Sequence, residues 1–168
     1  MALAVSTQER PSTHYVGLPV SARFSEFGAP GGPNEMVPRI YQWLGEHDVD
    51  PLGGPLYIYR HLGESRAQTV DLTVGVPVAE PVAPSSGLVL GRLPAGVYVV
   101  GRHVGSPDTI AAARAEVDEW AQAHGHRLPT TREDDGMRWT GFAEHFLTNP
   151  AEEPDRSKWV TELLFKIG

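Results

Sequence analysis

A glutamate stands in the middle of an apolar stretch near the end of this sequence, WVTELLFKI, residues 159–167. Alternation along a β-strand places Glu162 on one face between Val160 and Leu164, while Leu163 and its alternates form the core side. A carboxylate with bulky apolar neighbours on its own face is not typical of a solvated surface. We therefore interpret Glu162 as a ligand-binding acid in a seam of the fold, with Val160 and Leu164 as its apolar walls.

Aromatic side chains and a second acid occur on two other strand-like stretches. LYIYRH places Tyr57 and Tyr59 on one face of a strand, and GFAEHF does the same for Phe142, Glu144 and Phe146. Aromatic ring faces attract cations, so a carboxylate near several rings suits a lipophilic aromatic cation. The predicted ligand-binding residues are Tyr57, Tyr59, Thr73, Trp139, Phe142, Glu144, Phe146, Val160, Glu162 and Leu164.

An internal repeat organises the elements that carry these residues. Adding 77 to the numbers of four residues gives the same residue type three times and Val for Ile once: the pairs are Gly28 and Gly105, Pro30 and Pro107, Ile40 and Val117, and Trp43 and Trp120. Both segments predict a Gly-Pro turn and then an amphipathic helix with a Trp near its end as a core anchor. A second match, at 89 residues, relates strand 70–78 to strand 159–167 and makes Thr73 the counterpart of Glu162.

Each predicted helix is preceded by one strand-like run and followed by two, so the sequence predicts two β-α-β-β halves. The fold class is α+β: a pseudo-twofold repeat with antiparallel sheets, helices on the outer face and a central ligand groove. We expect the halves to meet through the uncovered faces of their sheets, where Glu162 points. We expect one domain with a tail at 1–12, a first half at 13–80, a linker at 81–87 and a second half at 88–168. The second half is expected to carry a 12-residue insertion, part of which lies in an acidic loop at 129–136.

Composition argues against several other function classes. The net charge of -7 and the scattered Lys and Arg residues argue against a nucleic-acid-binding surface. The chain has no Cys, its His spacing does not favour a metal site, and it carries no phosphate-binding Gly loop, so we expect neither metal nor cofactor. The first residues lack the features of a signal peptide and no run reaches the length of a membrane span, so we expect a cytoplasmic protein without a membrane partner.

Three stretches, LPAGVYVVGRHVGSPDTIAAARAEVDEWAQAHG, FLTNP and EEPDRSKWVTELLFKI, resemble the GyrI-like small-molecule-binding domain. This family also supplies the effector-binding module of AraC-type and MerR-type multidrug regulators. GPLYIYRH and VDLTVGVPV are similar to its first repeat, so the resemblance runs from about residue 13 to the end. It implies two β-α-β-β halves around a central groove and the binding of bulky aromatic cations against a glutamate, which maps onto Glu162.

The resemblance leaves three functions open. The first, which we favour, is a protein that binds and sequesters hydrophobic, often cationic drugs and so contributes to antibiotic resistance. The second is a hydrolase that opens the cyclopropane of alkylating antibiotics, with Glu162 and Tyr59 as the reacting pair. The family often has Tyr where this chain has Phe146, and that departure disfavours the hydrolase. The third is an interaction protein that inhibits DNA gyrase, for which an aromatic-lined groove is not required.

Overall fold

The computed structural model describes residues 3–63, 69–133 and 136–168. Within these residues nine strands form one antiparallel sheet, and two α-helices pack against it. The strands are β1 (Ala4–Arg10), β2 (Thr13–Ala22), β3 (Leu56–Gly63), β4 (Val70–Val78), β5 (Val89–Leu93), β6 (Gly96–Val104), β7 (Thr130–Glu133), β8 (Gly136–Phe146) and β9 (Val160–Lys166). The helices are α1 (Pro33–Glu46) and α2 (Ile110–Ala123), and no helix in the described ranges is long and apolar enough to cross a bilayer.

The predicted repeat is confirmed by both the helices and the sheet. The two helices have equal length and begin 77 residues apart. Near their ends the ring of Trp43 stacks on that of His47 at 4.1 Å, and Trp120 stacks on His124 at 4.0 Å. The strand order is β1-β6-β9-β8-β3-β4-β2-β5, with β7 paired to β8. Strand β4 thus lies between β3 and β2 just as β9 lies between β8 and β6, and the equivalence of strands 70–78 and 159–167 holds.

The two halves join edge to edge, through the pairing of β3 with β8, and form one continuous sheet. The expectation that the halves meet through the uncovered faces of two sheets is therefore wrong. Hydrogen-bonded pairing of the two central strands satisfies the backbone groups that a face-to-face arrangement would leave at an open edge.

Two segments that were expected to be irregular contain strands. Residues 4–10, assigned to a tail, form β1, which pairs along its own full length with residues 96–102 of β6. Its side chains are mostly polar and exposed, so it has no hydrophobic alternation to reveal it; its pairing comes from the backbone. In the acidic segment 129–136, expected to be a loop, β7 pairs with β8. Residues 134–135 of that segment lie outside the described residues.

Short connections curl the sheet. Strands β1 and β5 end the strand order, yet only two residues separate β1 from β2, and two separate β5 from β6. Such a link spans roughly 11 Å at most, so the outer strands approach each other across one face of the sheet. We call this the inner face, which carries the small cluster of Tyr98, Val100, Ala143 and Leu164. Both helices cover the opposite side, the helix face, whose larger core includes Val99, Phe142, Leu163 and Phe165.

Candidate ligand-binding site

The register of the central strands brings most of the predicted site residues together. Tyr57 lies directly opposite Glu144, and Tyr59 lies opposite Phe142, so these four side chains project from the same side of the sheet. That side is the helix face, because Tyr57, Tyr59 and Phe142 belong to the core that the helices cover. The predicted site residues on the helix face are Tyr57, Tyr59, Trp139, Phe142, Glu144 and Phe146.

The remaining predicted residues lie on the inner face. Phe142 is paired with Phe165 in β9, whereas Glu162 is paired with His145, and neighbouring residues in a strand alternate sides. Glu162 therefore points away from the rings, and the prediction that it faces Tyr57 and Tyr59 is wrong. The predicted site residues on the inner face are Thr73, Val160, Glu162 and Leu164.

On the inner face, Glu162 already has a partner. Arg10, at the end of β1, donates from Nη2 to Oε2 at 3.0 Å and from Nη1 to Oε1 at 3.4 Å. A nearby cavity of about 170 Å³ is lined mainly by apolar residues, and Arg10 and His145 also contribute to its wall. Burial lowers the pKa of His145, an effect that the charge of Glu162 opposes. Because a two-point ion pair occupies this carboxylate, Glu162 does not present a free charge to a ligand.

On the helix face, Glu144 is enclosed by protein. Its exposed fraction is 3%, and the hydroxyl of Tyr59 donates to Oε1 at 2.7 Å. The other oxygen, Oε2, is buried and accepts no hydrogen bond from any residue in the described ranges. Burial raises the pKa of Glu144, although the guanidinium of Arg114 and the Tyr59 hydrogen bond act against this shift. Burial and the nearby carboxylate together hold the pKa of Tyr59 well above its ordinary value, so its proton stays on.

Aromatic rings surround this carboxylate. The Phe142 ring stacks on Tyr59 at 5.1 Å and on Phe165 at 4.5 Å, and Trp139 lies 4.9 Å from Phe142. Simple alternation would turn Trp139 to the inner face, but the register of β8 shifts in this region and Gly141 adopts a φ of +94°. The indole Nε1 of Trp139 is buried and, within the described ranges, has no hydrogen-bond acceptor.

The start of α1 closes one end of this cluster. The hydroxyl of Tyr57 donates to Oδ1 of Asn34 at 2.5 Å, and the Tyr57 ring lies 6.1 Å from Phe27 and 4.9 Å from Phe146. Phe146 thus contributes a ring but no proton donor to this region.

The residue that sequence reasoning missed is Arg114 on α2. Its guanidinium carbon lies 5.6 Å from the centre of the Phe142 ring, and its Nη2 lies 3.9 Å from Oε2 of Glu144. The signal in the sequence is a charged residue four positions after Ile110, within the apolar stripe that also contains Ala113 and Val117. A cation in that position is expected to need a buried acid beneath it.

The chemistry that this arrangement offers is recognition of charge in an apolar setting. It provides one buried carboxylate with an oxygen that accepts no hydrogen bond from the described residues, one tyrosine proton donor and several aromatic rings. Within the described ranges, no three His, Cys, Asp or Glu side chains are grouped so that they could hold a metal ion.

The sequence matches a known protein family, and the fold matches solved structures. A family model described as the GyrI-like small molecule binding domain matches residues 4–167. No curated protein matches the sequence. The solved EcmrR C-terminal domain is similar, with a TM-score of 0.75 and 17% identity over 100% of this chain and 99% of that one. In the EcmrR–DNA complex the TM-score is 0.78 at 16% identity, and the match covers 98% of this chain but only 57% of the EcmrR chain.

Two further structures share the fold. SAV2435 bound to tetraphenylphosphonium has a TM-score of 0.56 and 16% identity, covering 98% of this chain and 94% of that one. A hydrolase from Listeria innocua has a TM-score of 0.64 and 14% identity, covering 98% of this chain and 91% of that one. At these identities the likenesses establish a common architecture.

Proposed function

Because this chain belongs to the GyrI-like small molecule binding domain family, we propose that it binds hydrophobic aromatic cations on the helix face, with Glu144 as their counter-charge. Its role is to capture such compounds in the cytoplasm as a multidrug-binding protein. The shared fold with SAV2435, whose solved structure contains tetraphenylphosphonium, supports this class of ligand.

The observation that carries the proposal is Oε2 of Glu144, which is buried and accepts no hydrogen bond from the described residues. A buried carboxylate oxygen without a hydrogen bond is costly, because it has lost water and gained no partner in return. In this site the cost would be recovered when a ligand places its positive charge closer to Oε2 than the guanidinium of Arg114, which lies 3.9 Å away. The surrounding rings, Tyr59, Phe142 and Trp139, would cover the ligand's apolar surface.

Electrostatics favour a cation over an anion or a neutral compound. The ring faces carry negative potential, which adds to that of the carboxylate. The net charge of -7 would also concentrate cations near the protein, an effect that added salt should weaken. An anion would meet repulsion from the carboxylate and from the ring faces alike.

The decisive experiment compares the two glutamates. Tetraphenylphosphonium would be titrated by calorimetry into the wild type, Glu144→Gln and Glu162→Gln, with triphenylphosphine oxide as a neutral aromatic probe. Glu144→Gln retains an oxygen that can accept from Tyr59 but removes the charge. We expect this substitution to weaken the binding of the cation by about 10- to 100-fold, which corresponds to about 1.5–3 kcal/mol for a charged contact.

The matched control, Glu162→Gln, makes the same chemical change on the inner face. It should leave both ligands within about 2-fold of the wild-type affinity, since its carboxylate is already paired with Arg10. A loss of cation binding in Glu162→Gln but not in Glu144→Gln would move the site to the inner face. If neither ligand binds the wild type, the proposed function is wrong.

The hydrogen bond between Tyr59 and Glu144 favours one second candidate, the hydrolase. Cyclopropane opening needs a proton donor for the breaking carbon–carbon bond and a carboxylate that activates water. Tyr59 keeps its proton and lies 2.7 Å from the carboxylate, so the two residue types are already in contact. Tyr59 would take the place of the tyrosine that Phe146 replaces.

Mass spectrometry of a cyclopropane-bearing alkylator after incubation with the protein tests this candidate. As a hydrolase, the wild type should form the water-opened product faster than the buffer does, and both Tyr59→Phe and Glu144→Gln should abolish the excess. Product formation at the rate of buffer alone would leave binding as the function.

A further inference from the structure

Arg114 places the chain's own cation where the proposed ligand's charge would lie. It projects from α2 toward β8, with its guanidinium carbon 5.6 Å from the centre of the Phe142 ring and Nη2 3.9 Å from Oε2 of Glu144. A ring face on one side and a carboxylate oxygen on the other are the two features that an aromatic-lined cation site offers. Arg114 contacts both of them.

The ion pair between Arg114 and Glu144 is incomplete. Nη2 and Oε2 are 3.9 Å apart, which is beyond hydrogen-bonding distance, and a well-formed Arg–carboxylate pair has two N–H···O bonds. Within the described ranges, both Nε of Arg114 and Oε2 of Glu144 are buried without a hydrogen-bond partner. Arg114 thus balances the charge of Glu144 without a hydrogen bond between the two side chains. The pair is therefore weaker than a well-formed Arg–carboxylate pair, and another cation can replace Arg114.

Only one member of the pair can leave. The side chain of Arg114 is 21% exposed, whereas that of Glu144 is 4% exposed. A long arginine side chain can turn its guanidinium to water while its methylene groups stay on the protein. Asp118 lies one turn further along α2, is exposed, and offers a carboxylate to the displaced guanidinium at i+4 spacing.

Helix packing does not require an arginine at this position. The repeat offset of 77 residues equates Arg114 with Val37 of α1, a half-buried side chain that packs against the core. In the first half, this position is therefore filled by an apolar residue of smaller volume. The arginine is a feature of the second half, whose helix lies beside the buried acid.

We infer that Arg114 is a tethered competitor for the cation site: it holds Glu144 in the free protein and must swing out before an aromatic cation binds. This inference rests on the proposed function. The consequence is selectivity. A compound binds only if its own attraction to the carboxylate and the Phe142 ring is stronger than the attraction of Arg114 to the same two groups. If Arg114 is swung out in about 1–10% of free molecules, the apparent affinity is reduced about 10- to 100-fold.

The test is a titration of tetraphenylphosphonium against Arg114→Gln, which keeps polarity and approximate length, and against Arg114→Val, the repeat-equivalent residue. We expect both variants to bind the cation about 10- to 100-fold more tightly than the wild type. Triphenylphosphine oxide should gain less than about 3-fold, because it does not compete for charge. In a Glu144→Gln background the same Arg114 substitutions should have little effect, and a double-mutant cycle would show this coupling.

Arg39→Gln is the matched control. It removes the same charge from an exposed position on α1, where Arg39 donates to the carbonyl of Ser86 at 3.3 Å, and so measures the effect of net charge alone. Circular dichroism would verify that each variant is folded before titration, and Arg114→Gln serves if Arg114→Val does not fold.

The outcomes separate the inference from the function on which it rests. Equal cation affinity in the wild type and Arg114→Gln, or weaker binding by Arg114→Gln, overturns the competitor and leaves the proposed function intact. Equal gains for the cation and the neutral probe also overturn it, since they would mean that Arg114 merely fills space. If no variant binds tetraphenylphosphonium, both the inference and the proposed function fall.

Discussion

Glu144 and Glu162 lie on neighbouring strands at the centre of the sheet, but they differ in burial and in hydrogen bonding. Glu162 is on the inner face, partly exposed, and held by Arg10 through two hydrogen bonds. Glu144 is on the helix face, 3% exposed, and its oxygen Oε2 has no hydrogen bond from the described residues. A paired carboxylate near water costs little free energy, whereas one that is buried without its full set of hydrogen bonds is costly and marks a candidate functional site.

The largest expected effect is on the stability of the ring cluster that lies beside Glu144 on the helix face. Phe142 is fully buried and contacts Tyr59, Trp139 and Phe165. Phe142→Ala should lower the free energy of unfolding by about 3–5 kcal/mol, through lost apolar burial and the cavity that remains. Urea unfolding monitored by circular dichroism measures this, and a loss below about 1 kcal/mol would show that the cluster is not packed as described.

Removing the hydroxyl of Tyr59 should have the next largest effect. Tyr59→Phe keeps the ring but removes the hydrogen bond to Oε1 of Glu144, so neither oxygen of this buried carboxylate accepts a hydrogen bond from the described residues. We expect a loss of about 1–3 kcal/mol in the free energy of unfolding. In a Glu144→Ala background the buried Tyr59 hydroxyl has lost its acceptor, so the same substitution should be neutral or stabilising.

On the inner face, removing the partner of Glu162 should lower the free energy of unfolding only slightly. Arg10→Gln removes the partner of Glu162, but the two side chains are 30% and 15% exposed, so water can replace part of the lost interaction. We expect a loss of about 1 kcal/mol or less, and less still at high salt. A loss as large as that of Tyr59→Phe would mean that the two glutamates are equally dependent on their partners, and the contrast between them would disappear.

The final prediction is a pH dependence that sharpens the contrast. The pKa of Glu144 is raised by burial, so the folded protein binds this proton more readily than the unfolded chain does. The free-energy cost of the buried charge is therefore present at pH values above the raised pKa and disappears as the pH falls toward the ordinary carboxyl value. The unfolding free energy of the wild type minus that of Glu144→Gln should rise as the pH is lowered through this range.

The measurement is a series of urea unfolding curves for both proteins at several pH values, in which the other carboxylates cancel in the difference. A difference that falls as the pH is lowered would mean that the charged form of Glu144 is the one that the fold stabilises.

Much of the architecture was predictable because its signals are local. The offset of 77 residues located both helices, which have equal length and the same Trp–His stacking at their ends. Alternation correctly grouped Phe142 with Glu144, and Tyr57 with Tyr59. Strand β1 was missed because its sequence is polar and its place depends on pairing with β6, which is distant in the chain.

Apart from the irregular part of β8 that turns Trp139, the sequence by itself therefore determined which side chains share a face within each element, because a strand's period of two and a helix's period of 3.6 are properties of the local backbone. Only the tertiary structure decided which faces coincide. A shift of one residue in the pairing moves every side chain of a strand to the opposite face of the sheet. The register of β8 with β9 therefore placed Glu162 on the inner face, whereas Glu144 lies on the helix face beside the aromatic rings. The same long-range packing brought Arg114 of α2 and Arg10 of β1 to their different acids, and no local pattern contains that information.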